Sequence, residues 1–398
     1  MKKKCLIFIE DGSFTYDNRV IREAKALGDV GWDISVISPK YHDDPFLKKF
    51  NDHLRAYYYP KPSTESLAGH ALESLLTLFW GSIITFIVFL RHGFSVIQAC
   101  NPTDILWIIA LPYKLIGKKF IFDQHDLVPE LILSRNPRNR PGLLYNIFVL
   151  LEKCSYRLAD AVIATNESYK SVALTRGGKR PDEVFVVRNG PDLKKFRKVL
   201  PKIGLKDDRE VLVGYLGNMN PQDGVGYLLK AAKEVVLGRG RRDIKFVFVG
   251  GGSSQPGLVG ESLEMGLSDN VIFTGRLPDD EMLSTLSACD MCVQPDPYNP
   301  LNDKSTMNKV MEYMALEKPV IAFDLKETRV SGGDVALYAF PNEYVELADQ
   351  ILYLADHPDV RNRMGRMGRE RVEKELSWEY SVPHLLQAYL SVFPEKQR

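Results

Sequence analysis

Short runs of β-branched and aromatic residues recur along this chain, each bounded by polar turns and separated from the next by a stretch with helical spacing. In the first half they fall at 5–9 (CLIFI), 33–38 (DISVIS), 94–99 (FSVIQA), 119–123 (KFIFD), 161–165 (AVIAT) and 184–187 (VFVV). Between the first two, Val20, Ile21, Ala24 and Leu27 stand at i, i+1, i+4 and i+7, one face of a helix. The runs are nearly continuous in apolar residues rather than alternating, as strands of a parallel sheet covered on both faces must be. The series then restarts at 210–217, 245–252, 270–275, 291–295, 319–324 and 336–340. Two successive α/β series of similar length predict two doubly wound domains rather than one large sheet.

A chain of 398 residues is long enough for two cores of ordinary size. The Asn189-Gly190-Pro191 turn and the basic run after it, within 186–201, read as a linker. The expected boundaries are 1–190 and 191–375 for the two domains, with 376–398 as an amphipathic C-terminal helix packing back across the first domain. The expected fold class is α/β, two facing Rossmann-like domains with an interdomain cleft and a hinge near Asn189–Asp192.

Composition changes this picture only at the edges. Apolar residues at 45% and charged residues at 26% are globular values. Residues 1–190 carry 25 Lys and Arg against 20 Asp and Glu, and the remainder carries 27 against 31, so the first half is basic and the second acidic. No dense cationic stripe with interleaved aromatics appears, which disfavours nucleic acid as a partner. Five scattered cysteines, with Cys289 and Cys292 a lone pair in an apolar setting, read as buried thiols in a reducing compartment. The start, MKKKCLIFIEDG, is too short in apolar residues for a signal peptide and reads as a first strand of a cytoplasmic protein. From Ser74 to Leu90 no charge occurs, yet Thr77, Gly81, Ser82 and Thr85 interrupt the run and it falls short of the usual span of about 20 residues. With the apolar stretch 143–153 and basic Arg135, Arg138 and Arg140, it admits two readings, core helices or peripheral docking on an anionic membrane.

The stretch 299–324 carries the most chemistry. A Pro- and Asn-rich loop leads into a helix expected to begin near Asp303 to Ser305. Met307, Val310, Met311 and Met314 form its apolar face, and Ser305, Asn308, Lys309 and Glu312 a polar one. Its N-terminal amides suit an anion, Lys309 a phosphate, and Glu312 ribose hydroxyls. The plain alternative is a solvated face with a Lys–Glu pair. Gly250, Gly251 and Gly252 end a strand and admit either a ligand or a neighbouring loop. No G-x-G-x-x-G follows the first strand, which argues against a nicotinamide dehydrogenase.

The string KVMEYMALEKPVIAFDLKETR closely resembles the donor-site segment of retaining glycosyltransferases of family 4, in particular the polysaccharide and lipopolysaccharide branch. The likeness extends to YLGNMNPQDGV (215–225), FVGGGSS (248–254), FTGRLPDDEM (273–282) and DQHDLVPEL (123–131). It implies a GT-B fold and transfer, with retained configuration, from a nucleoside-diphosphate-sugar donor to a glycan or polyprenyl-linked acceptor in cell-surface polysaccharide synthesis. It implies no separate cofactor, and the absence of any Asp-x-Asp predicts metal independence. Residue by residue, Glu312 matches the ribose-binding glutamate and Lys304 stands where a second glutamate is common. Amides around Ser305 and Thr306 match the diphosphate cradle, and Gly275, Arg276 and Leu277 the loop beside the base. Gly12 resembles the family's glycine loop beside the transferred sugar, and His125 its active-site histidine, with Glu130 shaping the same region. The family's Arg and Lys facing the diphosphate align with Asn218 and Asp223, so the charge must be balanced elsewhere, Lys309 first, then Lys304, Arg276 and Arg19. Rival readings are a nucleotide-sugar epimerase or inverting transferase on this fold, and a degenerate, non-catalytic nucleotide-sugar-binding protein.

Overall fold

The computed structural model describes residues 3–40, 44–62, 67–135 and 140–393. Contacts divide the chain into two compact units, Met1–Asn189 with Ser381–Arg398, and Gly190–Tyr380.

The first unit is built on eight strands: β1 (Lys4–Ile9), β2 (Asp33–Pro39), β3 (Leu47–Lys49), β4 (Leu54–Tyr59), β5 (Val96–Cys100), β6 (Lys119–Gln124), β7 (Ala161–Ala164) and β8 (Val184–Val186). They lie in the order β3-β4-β2-β1-β5-β6-β7-β8, all parallel except β3, which runs antiparallel to β4. The helices are α1 (Asn18–Asp29), α2 (Leu67–Arg91), α3 (Trp107–Leu115), α4 (Val128–Arg135), α5 (Leu143–Leu158) and α6 (Glu167–Thr175). The pattern of apolar runs missed β3 and β4. The first is a short edge strand with two lysines, and the second is buried through Tyr57, Tyr58 and Tyr59 rather than through aliphatic residues. Each of these phenols is served where it lies. Tyr57 meets His92 Nε2 at 2.9 Å, Tyr58 meets Thr15 Oγ1 at 3.1 Å and Tyr59 donates to Thr77 Oγ1 at 3.3 Å.

Strand order fixes which helix covers which face. The chain steps from β1 to β2 in one direction and from β4 onward in the other, so right-handed crossovers put α1 on one face and α2 to α6 on the opposite one. The α1 face is completed by the end of the chain. Tyr389 and Phe393 set their rings 5.0 and 6.0 Å from Trp32, and the Tyr389 hydroxyl donates to Gln98 Oε1. On the other face α2 is inverted. Thr77, Gly81, Ile84, Thr85 and Val88 point inward, while Leu72, Leu75, Phe79, Ile83, Phe86 and Leu90 are exposed. A Cβ on Gly81 would fall 2.6 Å from Phe8 Cζ and 2.7 Å from Ile109 Cδ1, so the helix backbone itself sits against the sheet and α3. The 18-residue windows of α2 are apolar enough to cross a membrane by length and composition, yet only 28% of the helix's window is buried.

The second unit holds β9 (Val211–Leu216), β10 (Ile244–Val249), β11 (Val271–Gly275), β12 (Met291–Gln294), β13 (Val320–Phe323) and β14 (Ala336–Ala339), in the order β11-β10-β9-β12-β13-β14. All pairings are parallel. Its helices are α7 (Val225–Lys233), α8 (Gln255–Glu264), α9 (Asp279–Ala288), α10 (Asn308–Ala315), α11 (Lys326–Gly332), α12 (Tyr344–Asp356) and α13 (Pro358–Arg371). A last helix, α14 (Trp378–Ser391), begins in this unit and ends in the first. Alternate strand residues enter two separate cores. Val213, Tyr215, Phe246 and Phe248 pack with Leu347 and Ile351, and Leu212, Val247 and Val249 pack with Met311 and Met314. Burial on both faces explains the continuous apolar runs. Cys289 and Cys292 are free, buried thiols in the second of these cores.

The direction of strand addition reverses at β9, with β10 on one side and β12 on the other. Such a reversal leaves the carboxyl ends of the strands open to a ligand. The glycines of that edge serve the backbone. Gly250 (φ +127°) donates its N–H to the Gly275 carbonyl at 2.9 Å, and Gly251 accepts from Met219 N at 3.0 Å. The triple glycine thus admits a neighbouring loop, 217–219. A Cβ on Gly250 would fall 1.9 Å from the Gly217 oxygen. Gly250→Ala should therefore destabilise the protein by about 2–4 kcal/mol, through a backbone clash and a left-handed φ together. The urea midpoint of the variant measures it.

Candidate functional site

At the carboxyl edge of the first sheet, the loop after β1 carries Gly12 (φ +82°, exposed), and Asp17 caps α1 by accepting from the amides of Arg19 and Val20 at 3.0 Å each. The cap places Arg19 in the first turn of α1, pointing under the edge. Its guanidinium is buried and fully used. One terminal nitrogen donates to Val187 O at 2.9 Å, the other to Asp123 Oδ1 at 3.1 Å, and Nε lies 3.0 Å from Glu23 Oε1 and 3.1 Å from His125 Nε2. Asp123 Oδ2 in turn meets His125 Nε2 at 3.0 Å and accepts from Gln98 Nε2 at 2.7 Å, while Gln98 Nε2 also reaches Glu23 Oε2 at 2.7 Å. Tyr389 closes the chain through Gln98. His125 Nε2 is thereby committed, and its backbone N–H is held by Asn101 Oδ1 at 2.7 Å. Among the described residues Nδ1 has no partner, so it is the ring nitrogen that stays open.

Electrostatics follow from this packing. Burial alone would lower the His125 pKa, but the charge and hydrogen bond of Asp123 outweigh it and hold the imidazolium above its ordinary value. Burial would raise Asp123, and Arg19 with His125 instead hold it well below the usual carboxylate range. Glu23 is pushed up to about 8, by burial first and then by the Asp123 charge. Cys100 Sγ, an Asp123 oxygen and a His125 nitrogen lie close enough together to be metal ligands. The Arg19 cation already occupies both the Asp123 and the His125 of that set, and burial keeps the Cys100 thiol protonated, so the donor set does not fit a metal ion.

The second unit brings a different group to its own edge. Lys309, in the first turn of α10, lies 2.9 Å from Asp296 Oδ2 at the end of β12 and 5.1 Å from the centre of the Tyr215 ring. Burial would lower the Lys309 pKa, but Asp296 and the neighbouring groups hold the ammonium above its ordinary value. Gln294 donates to the same Asp296 oxygen. Asp223 accepts from Asn220 N at 2.9 Å and is raised, chiefly by burial, with the nearby Lys309 opposing. Tyr313, one residue beyond Glu312, is fixed by accepting from Leu216 N at 2.7 Å, which ties α10 to the end of β9. Gly275 (φ +68°) turns the chain after β11, so that Arg276 is exposed, with no ion-pair partner among the described residues. Leu277 packs against the second core of the unit.

Several sequence expectations move. The helix expected from Asp303 to Ser305 begins at Asn308, because residues 301–305 form turns whose Lys304 and Ser305 amides bond to Leu301 O at 3.0 Å and Asn302 O at 3.2 Å. Ser305 is therefore off the helix and its amide is engaged. In the first turn of α10 the Val310 amide bonds to Met307 O at 3.1 Å, and the Asn308 and Lys309 amides are the ones without a partner among the described residues. Thr306 and Met307 link the turns to that helix, and Lys304 is half-buried before them. Lys309 was first in line to balance a donor's charge, but its own charge already faces Asp296. Arg19, last in line, is enclosed by Asp123, Glu23 and His125. Glu130 is held at both oxygens by Arg176, 2.9 Å each, as a structural ion pair. Asn218 accepts from the Tyr215 hydroxyl through its carbonyl. The sequence reading passed over Asp296, Glu23 and Gln98. A carboxylate just past a strand end and a lone glutamine within an apolar strand were the available signals.

A model described as glycosyl transferases group 1 matches residues 210–357, and one described as glycosyltransferase family 4 matches residues 17–195. The chain is similar to the alpha-maltose-1-phosphate synthase of Mycolicibacterium smegmatis, 28% identical over 301 residues, which is 70% of this chain and 74% of that protein. Among solved structures it resembles a sucrose-phosphate synthase from Thermosynechococcus elongatus, with a TM-score of 0.79 at 19% identity over 98% of this chain and 99% of that one. It also resembles Anabaena HepE in complex with UDP, with a TM-score of 0.69 at 17% identity over 98% and 100%.

The buried cluster gives a signed pH dependence. Glu23 and His125 are both raised in the folded state, so the stability they contribute is full below their unfolded pKa values and is lost as pH rises through the folded ones. Stability should fall from pH 5 to 8.5. Glu23→Gln should flatten that fall by roughly 2–4 kcal/mol, read from urea midpoints at several pH values.

Proposed function

From the premise that this chain belongs to the GT-B glycosyltransferases of family 4, we propose that it moves a sugar, with retention of anomeric configuration, from a nucleoside-diphosphate sugar to a hydroxyl of a glycan or lipid-linked acceptor in cell-surface polysaccharide synthesis, working at a membrane surface. The observation that carries the donor assignment is the carboxyl edge of the second sheet. The strand order reverses at β9, α10 opens with unpaired amides, and Glu312 stands one turn further along the same helix.

On this reading Glu312 accepts hydrogen bonds from the ribose, and the amides at the start of α10 face the diphosphate. Arg276, whose charge no described carboxylate answers, supplies the cation that Asn218 and Asp223 do not. The bond between the sugar's anomeric carbon and the diphosphate oxygen breaks, and its electron pair leaves with the phosphate. The acceptor oxygen bonds to the same carbon from the same face, and its proton passes to the departing phosphate oxygen. Stabilising that leaving group is the main demand on the protein. His125 contributes a hydrogen bond to the donor sugar through Nδ1, with its ring fixed by Asp123 and Arg19. The exposed glycine turn at Gly12 leaves room beside β1 for the sugar or the acceptor. No metal is required on this reading, since Arg276 and the amides at the start of α10 meet the charge.

A second reading, a nucleotide-sugar-binding protein without turnover, is favoured by one observation. Lys309 is neutralised by Asp296 beside Asp223, so the edge is poorer in free cations than the family pattern implies.

The test is thermal stabilisation by UDP, GDP, ADP, CDP and dTDP and their sugar conjugates, followed by product analysis with lipid-linked and soluble glycan acceptors. Stabilisation by one nucleotide series with transfer and a retained anomer supports the proposal. Stabilisation without release of nucleotide under any acceptor supports the second reading. Glu312→Ala should weaken binding of the matching nucleoside diphosphate about 10- to 100-fold, the worth of hydrogen bonds to a charged group. Arg276→Ala should weaken the diphosphate about 5- to 10-fold while leaving the free nucleoside almost unchanged. Calorimetric titration separates the two, and equal losses for both ligands would rule out a diphosphate role for Arg276.

A further inference from the structure

The helix α2 carries its residues the wrong way round for a soluble crossover. Small or polar side chains (Thr77, Gly81, Thr85) face the sheet, and the exposed stripe at 72, 75, 79, 83, 86 and 90 holds only Leu, Phe and Ile. That stripe is about 27 Å long at 1.5 Å per residue. Two neighbours repeat the arrangement. Ile108, Leu111 and Leu115 are exposed on α3, and Leu143, Ile147 and Leu150 on α5. Because α3 packs against both α2 and α5 on the same face of the sheet, the three stripes lie side by side. Single exposed apolar residues are ordinary, but adjoining stripes on three helices mark a surface built to be covered.

Charge identifies what covers it. Arg91, Lys153 and Arg157 are exposed at the ends of these helices, and half-buried Lys118 lies over the Phe89 ring at 5.4 Å. The acidic residues on α2, α3 and α5 are withdrawn: Glu152 is buried on Arg176, and Glu73 is largely covered and faces His70. Exposed apolar stripes rimmed by cations, on helices with no exposed carboxylate among their described residues, complement an anionic bilayer. A second copy would bring like charges together. Arg138, part of the basic stretch before α5, lies outside the described residues. Such a helix as α2 would lie on a bilayer rather than cross it. It joins β4 and β5 of one sheet and is held along its length by Tyr59, Phe8 and Ile109, so a spanning pose would strip it from the core.

We propose that the outward faces of α2, α3 and α5 form a monotopic membrane-docking surface for anionic lipid. This deepens the membrane half of the functional reading by naming the surface and its partner. The test uses the full chain with vesicles of phosphatidylcholine alone or with phosphatidylglycerol, by flotation. Binding should require the anionic lipid, weaken with salt, and drop about tenfold or more in Phe79→Glu/Phe86→Glu, since the insertion of apolar side chains is lost. Both residues are exposed, so the variant should melt as wild type does and bind the stabilising nucleotide equally well. Absence of vesicle binding, or binding indifferent to the double substitution, overturns the proposal. So does a concentration-dependent dimer that the substitution abolishes without any vesicle binding, which would assign the face to a second copy. Failure of nucleotide binding in the wild-type chain would overturn the transferase reading and leave this one standing.

Discussion

A parallel strand can follow another only if the chain first travels back across the sheet, and everything distinctive in this protein follows from that constraint. Each return except the one through β3 is made by a helix, each helix covers a face, and strands covered on both faces must be apolar throughout. All the loops that leave strand ends then gather along one edge. In the first unit that edge collects Gly12, Arg19 and His125 from elements far apart in sequence. In the second it collects Gly217, Gly250, Arg276, Asp296 and Lys309. Neither group needed a dedicated scaffold, because the sheet brings their loops to a common side.

The two edges handle charge in opposite ways. In the first, three ionisable groups are packed around one guanidinium, and each shifts the next. Arg19 and His125 hold the Asp123 carboxyl low, Asp123 raises His125, and burial followed by the Asp123 charge raises Glu23. In the second, the buried ammonium of Lys309 is matched by Asp296, and the unmatched cation, Arg276, is left in solvent. The first cluster is closed and mutually braced, whereas the second leaves its unmatched cation open to solvent.

Twelve of the fourteen strands were legible as apolar runs, because burial on both faces leaves so simple a trace. The two that were missed, β3 and β4, lie at the sheet margin, where lysines and tyrosines replace aliphatic residues. A candidate's place was legible where a type and a position coincided, as with His125 just past the end of β6. Pairings were not. Nothing in the local sequence tells that Lys309 meets Asp296 thirteen residues earlier, or that Gln98 is the junction between α1, β6 and the last helix. The start of α10 was misplaced because the turns at 301–305 share the composition of a helix N-terminus while closing their own hydrogen bonds. The orientation of α2 was ambiguous for a similar reason. Its residues could have packed with either stripe inward, and only the close approach of Gly81 to Phe8 decides it.

The discontinuity of the first unit has a consequence in time. Its last pieces, Ser381 onward, are separated from Asn189 by the 191 residues 190–380. At 5–20 residues per second the ribosome needs roughly 10–40 s to bridge that interval. Throughout it the nascent first unit exposes Trp32 and the Gln98 amide that Tyr389 will later cover. The amino-terminal half is thus made first and finished last. A ribosome stalled just before Ser381 would release a chain whose second unit is whole and whose first is open along its α1 face, a natural target for chaperones and proteases.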